Sequence, residues 1–260
     1  MAAQCDVLAS NDVGLRTGAP EVHQTRVAAR RLRSTLRIFG DVVDAAAAEE
    51  LNDELAWYAE LVGQVRDRDV LSRRLTELIA DLPVDQVRGP VEADITKALA
   101  TGRDGAIQRL NEAMRTHRYQ HLMQLLRGWK TAPPLSDTAD ADSKTAIRYV
   151  KEAKRKADKR LRKAGGDVDR LHRARKAAKR LRYAAELVEP ADNRMKRIAR
   201  DAKEMQTLLG EHQDSIVAAG FLTTLSSAGN GEIGESAFTY GILMANELHR
   251  AAEIRASLKN

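Results

Sequence analysis

The chain holds a single cysteine, Cys5, which excludes an internal disulfide and a cysteine-built metal cage. Two Trp, five Tyr and three Phe in 260 residues leave too few rings for the stacking platforms that hold single-stranded nucleic acid. No apolar run approaches the roughly 18–20 residues a membrane-spanning helix needs. The opening MAAQCDVLASNDVGL lacks the basic start and long apolar stretch of a secretory signal. A cytoplasmic protein with no membrane partner is expected. There is no glycine-rich loop ending in Lys-Ser/Thr and no nucleophile–base set, so no catalytic residue and no cofactor is assigned, and enzyme activity is not expected. Acids are missing where a helix would ordinarily mix signs: Val22–Gly40 has none, and neither has Arg170–Ala185.

What is present is Ala, Leu, Arg, Lys, Glu and Asp with six prolines, the composition of an all-α protein. One stretch is written twice. EVHQTRVAARRLRSTLRIFG (21–40) returns as LHRARKAAKRLRYAA (171–185), with His23 on His172, Arg26 on Arg175, Arg30 on Lys179, Arg31 on Arg180 and Arg33 on Arg182 in one register. A second echo sets LVGQVRDRDV (61–70) on LLGEHQDSIV (208–217), with Gly63 on Gly210 and Asp67 on Asp214. The chain therefore reads as a duplicated unit.

Wound at about 100° per residue, the first copy gathers Arg26, Arg30, Arg33 and Arg37 into a narrow stripe leading to His23, beside an apolar face of Val22, Ala28, Ala29, Leu32, Leu36 and Phe39. The second copy repeats this with Arg175, Lys179, Arg182 and His172. A third helix, Ser143–Ala164, builds the same relation from Arg148, Lys151, Arg155, Lys159 and Arg162. Three helices made alike are expected to line one cleft. Between Lys144 and Arg182 the chain has 17 Lys and Arg against four acids, although the whole carries only +6, so the rest is net acidic. That asymmetry points to a polyanionic partner. A merely wet helix face would be expected to mix signs, because like charges three or four residues apart cost what opposite ones gain, about 0.2–0.5 kcal/mol per pair.

Along the chain, residues 2–12 form a short helix ending near Asn11–Gly14. Pro20 and Glu21 open the first repeated helix, which runs to about Asp44. A long helix covers Ala46–Leu82 and stops at Pro83. Val84–Ala100 is a minor helix or loop, and Asp104–Trp129 a further helix. Thr131–Asp142, TAPPLSDTADAD, is the best linker and divides the chain into helical repeats at 1–135 and 136–260. The second repeat has helices at Ser143–Ala164, Asp167–Val188, Ala191–Leu225 and Glu235–Leu258, with a turn at Ser226–Gly234. Four helices per half, plus a small insertion in the first, give two helical bundles.

His23 and His172 as metal ligands are disfavoured, since Arg or Ala rather than a further ligand stands at i+3 and i+4. A histidine facing phosphate suits them better. Asp67, Asp69 and Asp214 are read as pairing with the repeated arginines, or as bracing a turn after Gly63 and Gly210, rather than as catalytic acids.

VHQTRVAARRLRSTLRIF, LVGQVRDRDVL, LHRARKAAKRLRYAAEL and LLGEHQDSIV together resemble the paired signatures of the CHAD family, the conserved histidine α-helical domain, over nearly the whole chain. The resemblance implies two four-helix bundles related by a pseudo-twofold around a basic central channel. It implies binding of inorganic polyphosphate, often beside a CYTH-type triphosphatase or at polyphosphate granules. The family's histidines fall on His23 and His172, and its basic positions on Arg26, Arg30, Arg31, Arg33, Arg175, Lys179, Arg180 and Arg182. The sequence departs from the pattern in its short first helix and in showing no CYTH segment. General binding to a nucleic-acid phosphate backbone is the second reading, and a polyphosphate- or triphosphate-processing enzyme the third.

Overall fold

The computed structural model describes residues 1–11, 15, 21–137, 143–228 and 234–258. Among these the chain forms nine α-helices and no strand: α1 (Ala2–Ser10), α2 (Glu21–Ile38), α3 (Ala45–Ala80), α4 (Val91–Ala113), α5 (His117–Thr131), α6 (Ser143–Arg162), α7 (Val168–Val188), α8 (Arg194–Ala228) and α9 (Ser236–Ser257). The all-α reading holds. Among the described residues no helix is long and apolar enough to cross a membrane. The helix opening at Pro20, the end of the linker at 138–142 and most of the turn expected over Ser226–Gly234 lie outside the described residues.

Local chemistry sets the boundaries. Asp44, Thr116 and Asp167 each accept a hydrogen bond from the backbone N–H three residues on, capping α3, α5 and α7. Gly165 and Gly166, at φ +57° and +90°, take the left-handed turn that ends α6. Two boundaries differ from expectation. The first repeated helix stops at Ile38 rather than near Asp44, because Gly40–Val42 forms a 3-10 turn and Asp44 is already the cap of the next helix. The break expected near residues 100–104 falls instead at Met114–Thr116. Gly102 lets α4 run unbroken against α3, since a Cβ there would lie 2.9 Å from Arg68 Nε.

Four apolar cores organise the helices. The largest joins α1, α2, α5, the first half of α3 and the end of α4, around Leu32, Leu51, Leu55, Tyr58, Leu110 and Leu126. A second joins α6, α7 and the start of α8, with Ile38 and Phe39 of the α2 end packed on it. A third lies between α7 and α8 at Ala164, Leu171, Ala174 and Leu209. The fourth draws on both sides of the linker: Leu75, Val91 and Leu99 of α3–α4 meet Ala218, Leu222 and Leu243 of α8–α9. The two helices that carry the acid-free stretches, α2 and α7, pack against one another. Arg31 of α2 donates to Glu186 of α7 at 3.2 Å, and the guanidiniums of Arg31 and Arg182 both lie over the Tyr183 ring, at 5.4 and 5.1 Å. Such stacking suits cations held close together.

Candidate functional site

The α2–α7 contact sets the site. A helix repeats its face every three to four residues, so burying Ala28, Ala29, Ala177 and Ala178 turns His23, Arg26, Arg30, His172, Arg175 and Lys179 toward one cavity of about 340 Å³. Six of the twelve candidate residues thus come together. The long helices α3 and α8 complete the wall with Arg66, Asp67 and Arg74 and with Gln213 and Asp214.

Two matching constructions face each other there. Arg26 Nη1 donates to Asp67 Oδ1 at 2.5 Å and lies 3.5 Å from the Gly63 carbonyl. Arg175 Nη2 lies 3.9 Å from Asp214 Oδ1. In each, a glycine on the long helix sits under the guanidinium: a Cβ on Gly63 would meet Arg26 at 3.8 Å, one on Gly210 would meet Arg175 at 3.6 Å. The pairing half of the expectation holds for Asp67 and Asp214, whereas Asp69 accepts at 2.7 Å from Arg103 of α4, outside the repeated helices. The turn half does not, because both glycines lie within uninterrupted helices. The spacing at Gly63 is ordinary van der Waals contact. Gly63→Ala is therefore expected to raise stability by about 0.5–1 kcal/mol through helix propensity. Gly63→Leu pushes Arg26 off Asp67 and reverses the sign, by about 1–3 kcal/mol. Thermal melts followed by circular dichroism check both.

Positive charge is crowded in the cavity. Burial first, then Arg30, Arg175 and Arg26, lower the Lys179 ammonium to about 6, with Asp214 opposing. Burial lowers Arg30, Tyr183 acts against that shift, and Arg26 and Arg175 add to it. Burial and the neighbouring Arg66, Arg30 and Arg26 lower His23. Burial and Lys176 lower His172, against the hydrogen bond that its Nδ1 donates to Gln213 Oε1 at 2.9 Å. Asp214 is raised by burial, although Arg175 and Arg74 pull it down. Arg30 Nε and Arg175 Nε are buried without a hydrogen-bond partner among the described residues. Among the described residues no three His, Cys, Asp or Glu side chains converge as a metal cage.

The other six candidates lie elsewhere. Arg33 and Arg37 both donate to Asn52 Oδ1, at 3.4 and 3.3 Å. Arg182 donates to Glu186 at 2.7 Å and to Gln206 at 3.2 Å. Arg148, Lys151 and Arg155 are exposed on α6 and line no part of the cavity, Arg148 lying over Tyr149 at 5.5 Å. The expectation that three stripes share one cleft is corrected: α6 packs on α7 along the core that ends at Phe39. Its cations Lys156, Lys159 and Arg160 instead line a separate concavity with Lys163, Arg170 and Arg173. Sequence reasoning missed Arg66, Arg74 and Gln213. The second echo already set Arg66 against Gln213; Arg74 carried no such signal.

The chain belongs to the CHAD domain family, which matches residues 1–223. It is 33% identical over 244 residues to the uncharacterized protein Rv2226 of Mycobacterium tuberculosis strain H37Rv, and equally to MT2285 of strain CDC 1551, covering 92% of this chain. The chain spans 46% of the length of these curated relatives. In fold it is similar to PptA from Streptomyces chartreusis, with a TM-score of 0.82, 20% identity, and coverage of 99% of this chain and 94% of that one.

Proposed function

We propose that the protein binds inorganic polyphosphate without processing it, in the basic cavity formed where two helical bundles, related by an internal pseudo-twofold duplication, face each other. The observation that carries this reading is the convergence of six Lys and Arg and two His on one cavity with only two carboxylates. Buried cations that depress one another's pKa values are costly to assemble, and a polyanion placed among them removes that cost. Polyphosphate is a flexible row of anions without bases. Guanidinium forks and an ammonium are the groups that hold such a row, and Arg30 Nε and Arg175 Nε are two donors that an incoming oxygen satisfies. A ligand with two like ends also suits paired arginine–glycine–aspartate constructions. Arg33 and Arg37 further along α2, Arg182, and the outer Arg148, Lys151 and Arg155 enter the reading as contacts for the chain where it leaves the cavity. The reading extends to a place in the cytoplasm at polyphosphate granules, with a CYTH-type triphosphatase or other granule proteins as partners.

Duplex DNA is the second reading, since it needs phosphate contacts alone. A duplex presents its phosphates on a rigid cylinder and reaches the rim of a recessed cavity, whereas a single phosphate chain enters it. Competition at equal phosphate concentration and physiological salt separates the two. Polyphosphate is expected to displace a labelled DNA duplex, with affinity that falls steeply as salt rises and counterion release weakens. Equal affinities would overturn the polyphosphate reading. Incubation with Mg²⁺ or Mn²⁺ is expected to release no phosphate.

A further inference from the structure

Lys179 stands where α2, α3, α7 and α8 meet, and among the groups that line the cavity with it five arginines stand against two carboxylates. His23, Arg26 and Arg30 face it from α2, His172 and Arg175 from its own helix, and Arg66, Asp67 and Arg74 from α3. From α8 come Asp214 and the neutral Gln213. The acids nearby are committed elsewhere: Asp67 to Arg26, Glu247 and Glu211 to Arg74, and Asp214 to Arg175 at the longer distance of 3.9 Å. Among the described residues no carboxylate pairs with Lys179.

We propose that this cavity takes up a proton together with its polyanion, and that Lys179 is the group that receives it, so that binding is linked to pH through the neutral range. The proposal rests on the polyphosphate reading and adds a regulation to it. In the protein alone Lys179 titrates at about 6, so near pH 7.5 it is mostly a neutral amine. A phosphate chain lying against Arg30 and Arg175 places negative charge beside that amine and favours its ammonium form. The proton comes from solvent or buffer: an N–H bond forms at Lys179 Nζ as the donor's bond to that proton breaks, and no bond between heavy atoms changes. Below pH 6 the ammonium is already formed and no uptake is needed. Above it each bound chain draws one proton onto Lys179, and affinity falls with rising pH by up to about tenfold per unit. His23 and His172 are lowered from 6.5, so they are largely neutral at pH 7.5 and can add a smaller uptake of their own.

The test is titration calorimetry with long-chain polyphosphate, whose internal phosphates stay ionised from pH 6 to 9 and whose titrating ends are few. Runs at pH 7.5 in two buffers of different ionisation enthalpy count the protons, and runs from pH 6 to 8.5 give the slope. The expected result is uptake of about one proton per occupied cavity with affinity declining above pH 6. Lys179→Arg keeps binding while losing that proton and flattening the profile, and Lys179→Met loses the proton as well. Binding by the wild-type protein without proton uptake overturns the proposal. So does uptake that survives in Lys179→Arg but disappears in the His23→Gln/His172→Gln pair. A wild-type protein that shows no binding at any pH overturns the polyphosphate reading itself, an outcome distinct from binding without a proton.

Discussion

Replacing Arg30 and Lys179 together with Glu is expected to abolish polyphosphate binding while leaving the helical circular dichroism spectrum unchanged. Both side chains reach the same cavity from opposite repeated helices. A hydrogen bond to a charged group is worth about 1.5–3 kcal/mol. Losing two removes roughly two to four orders of magnitude in affinity, before the new repulsion is added. The fold has no reason to suffer. The introduced carboxylates lie among Arg26, Arg66 and Arg175, so they relieve a crowd of like charges, and the melting temperature is expected to hold or rise. Reversing Arg148 and Arg155 on exposed α6 is the matched control. It removes at least as much charge, but from a face that salt screens, and should weaken binding by less than about tenfold. A cavity double mutant that binds as well as the wild-type protein would take α2 and α7 out of the function.

Much of this site was legible because its positions are written twice. His23, Arg26 and Arg30 share a helix face with their counterparts His172, Arg175 and Lys179, and the alanines beside them point the way to the core. Periodicity finds a face; it cannot say which neighbour that face meets. Arg33 and Arg37 continue the Arg30 stripe on a helical wheel. One and two turns on, however, α2 has left the cavity, and Asn52 of α3 receives them. The stripe on α6 follows the same periodic rule and faces solvent, because partner choice is fixed by Val150 and Ala157 packing against α7. The chain turn expected after Gly63 and Gly210 failed for a related reason. A glycine in sequence reads as a break, whereas here it makes room for a guanidinium in the middle of a helix. The break near residue 102 failed likewise, with Arg68 as the occupant.

Arg74 had no counterpart in the repeat, and its truncation should produce the largest loss of stability. From α3 it reaches across to the second half of the chain. Its Nη2 donates to Glu247 Oε2 at 2.7 Å and to Ser215 Oγ at 2.8 Å, and its Nε to Glu247 Oε2 at 3.0 Å. Glu247 is 1% exposed and Arg74 14%, so this pair is shielded as no surface ion pair is. Burial alone would lower the Arg74 guanidinium, but the hydrogen bond and charge of Glu247 more than reverse that. Arg74→Ala strands a buried carboxylate whose second oxygen, Glu247 Oε1, already lacks a partner among the described residues. Breaking such a pair costs about 3–5 kcal/mol. At roughly 2–4 °C per kcal/mol for a domain of 150–250 residues, the melting temperature should fall by about 10 °C. Glu247→Ala should also melt lower but by less, because Arg74 keeps Ser215 Oγ at 2.8 Å and Glu211 Oε2 at 3.5 Å. Arg74→Met with Glu247→Leu, which fills the space without charge, should melt above either single variant. If both singles melt within about 2 °C of the wild-type protein, the ion pair does not hold α3 to α8 and α9, and the shared core of Leu75, Ala218 and Leu243 must do so unaided.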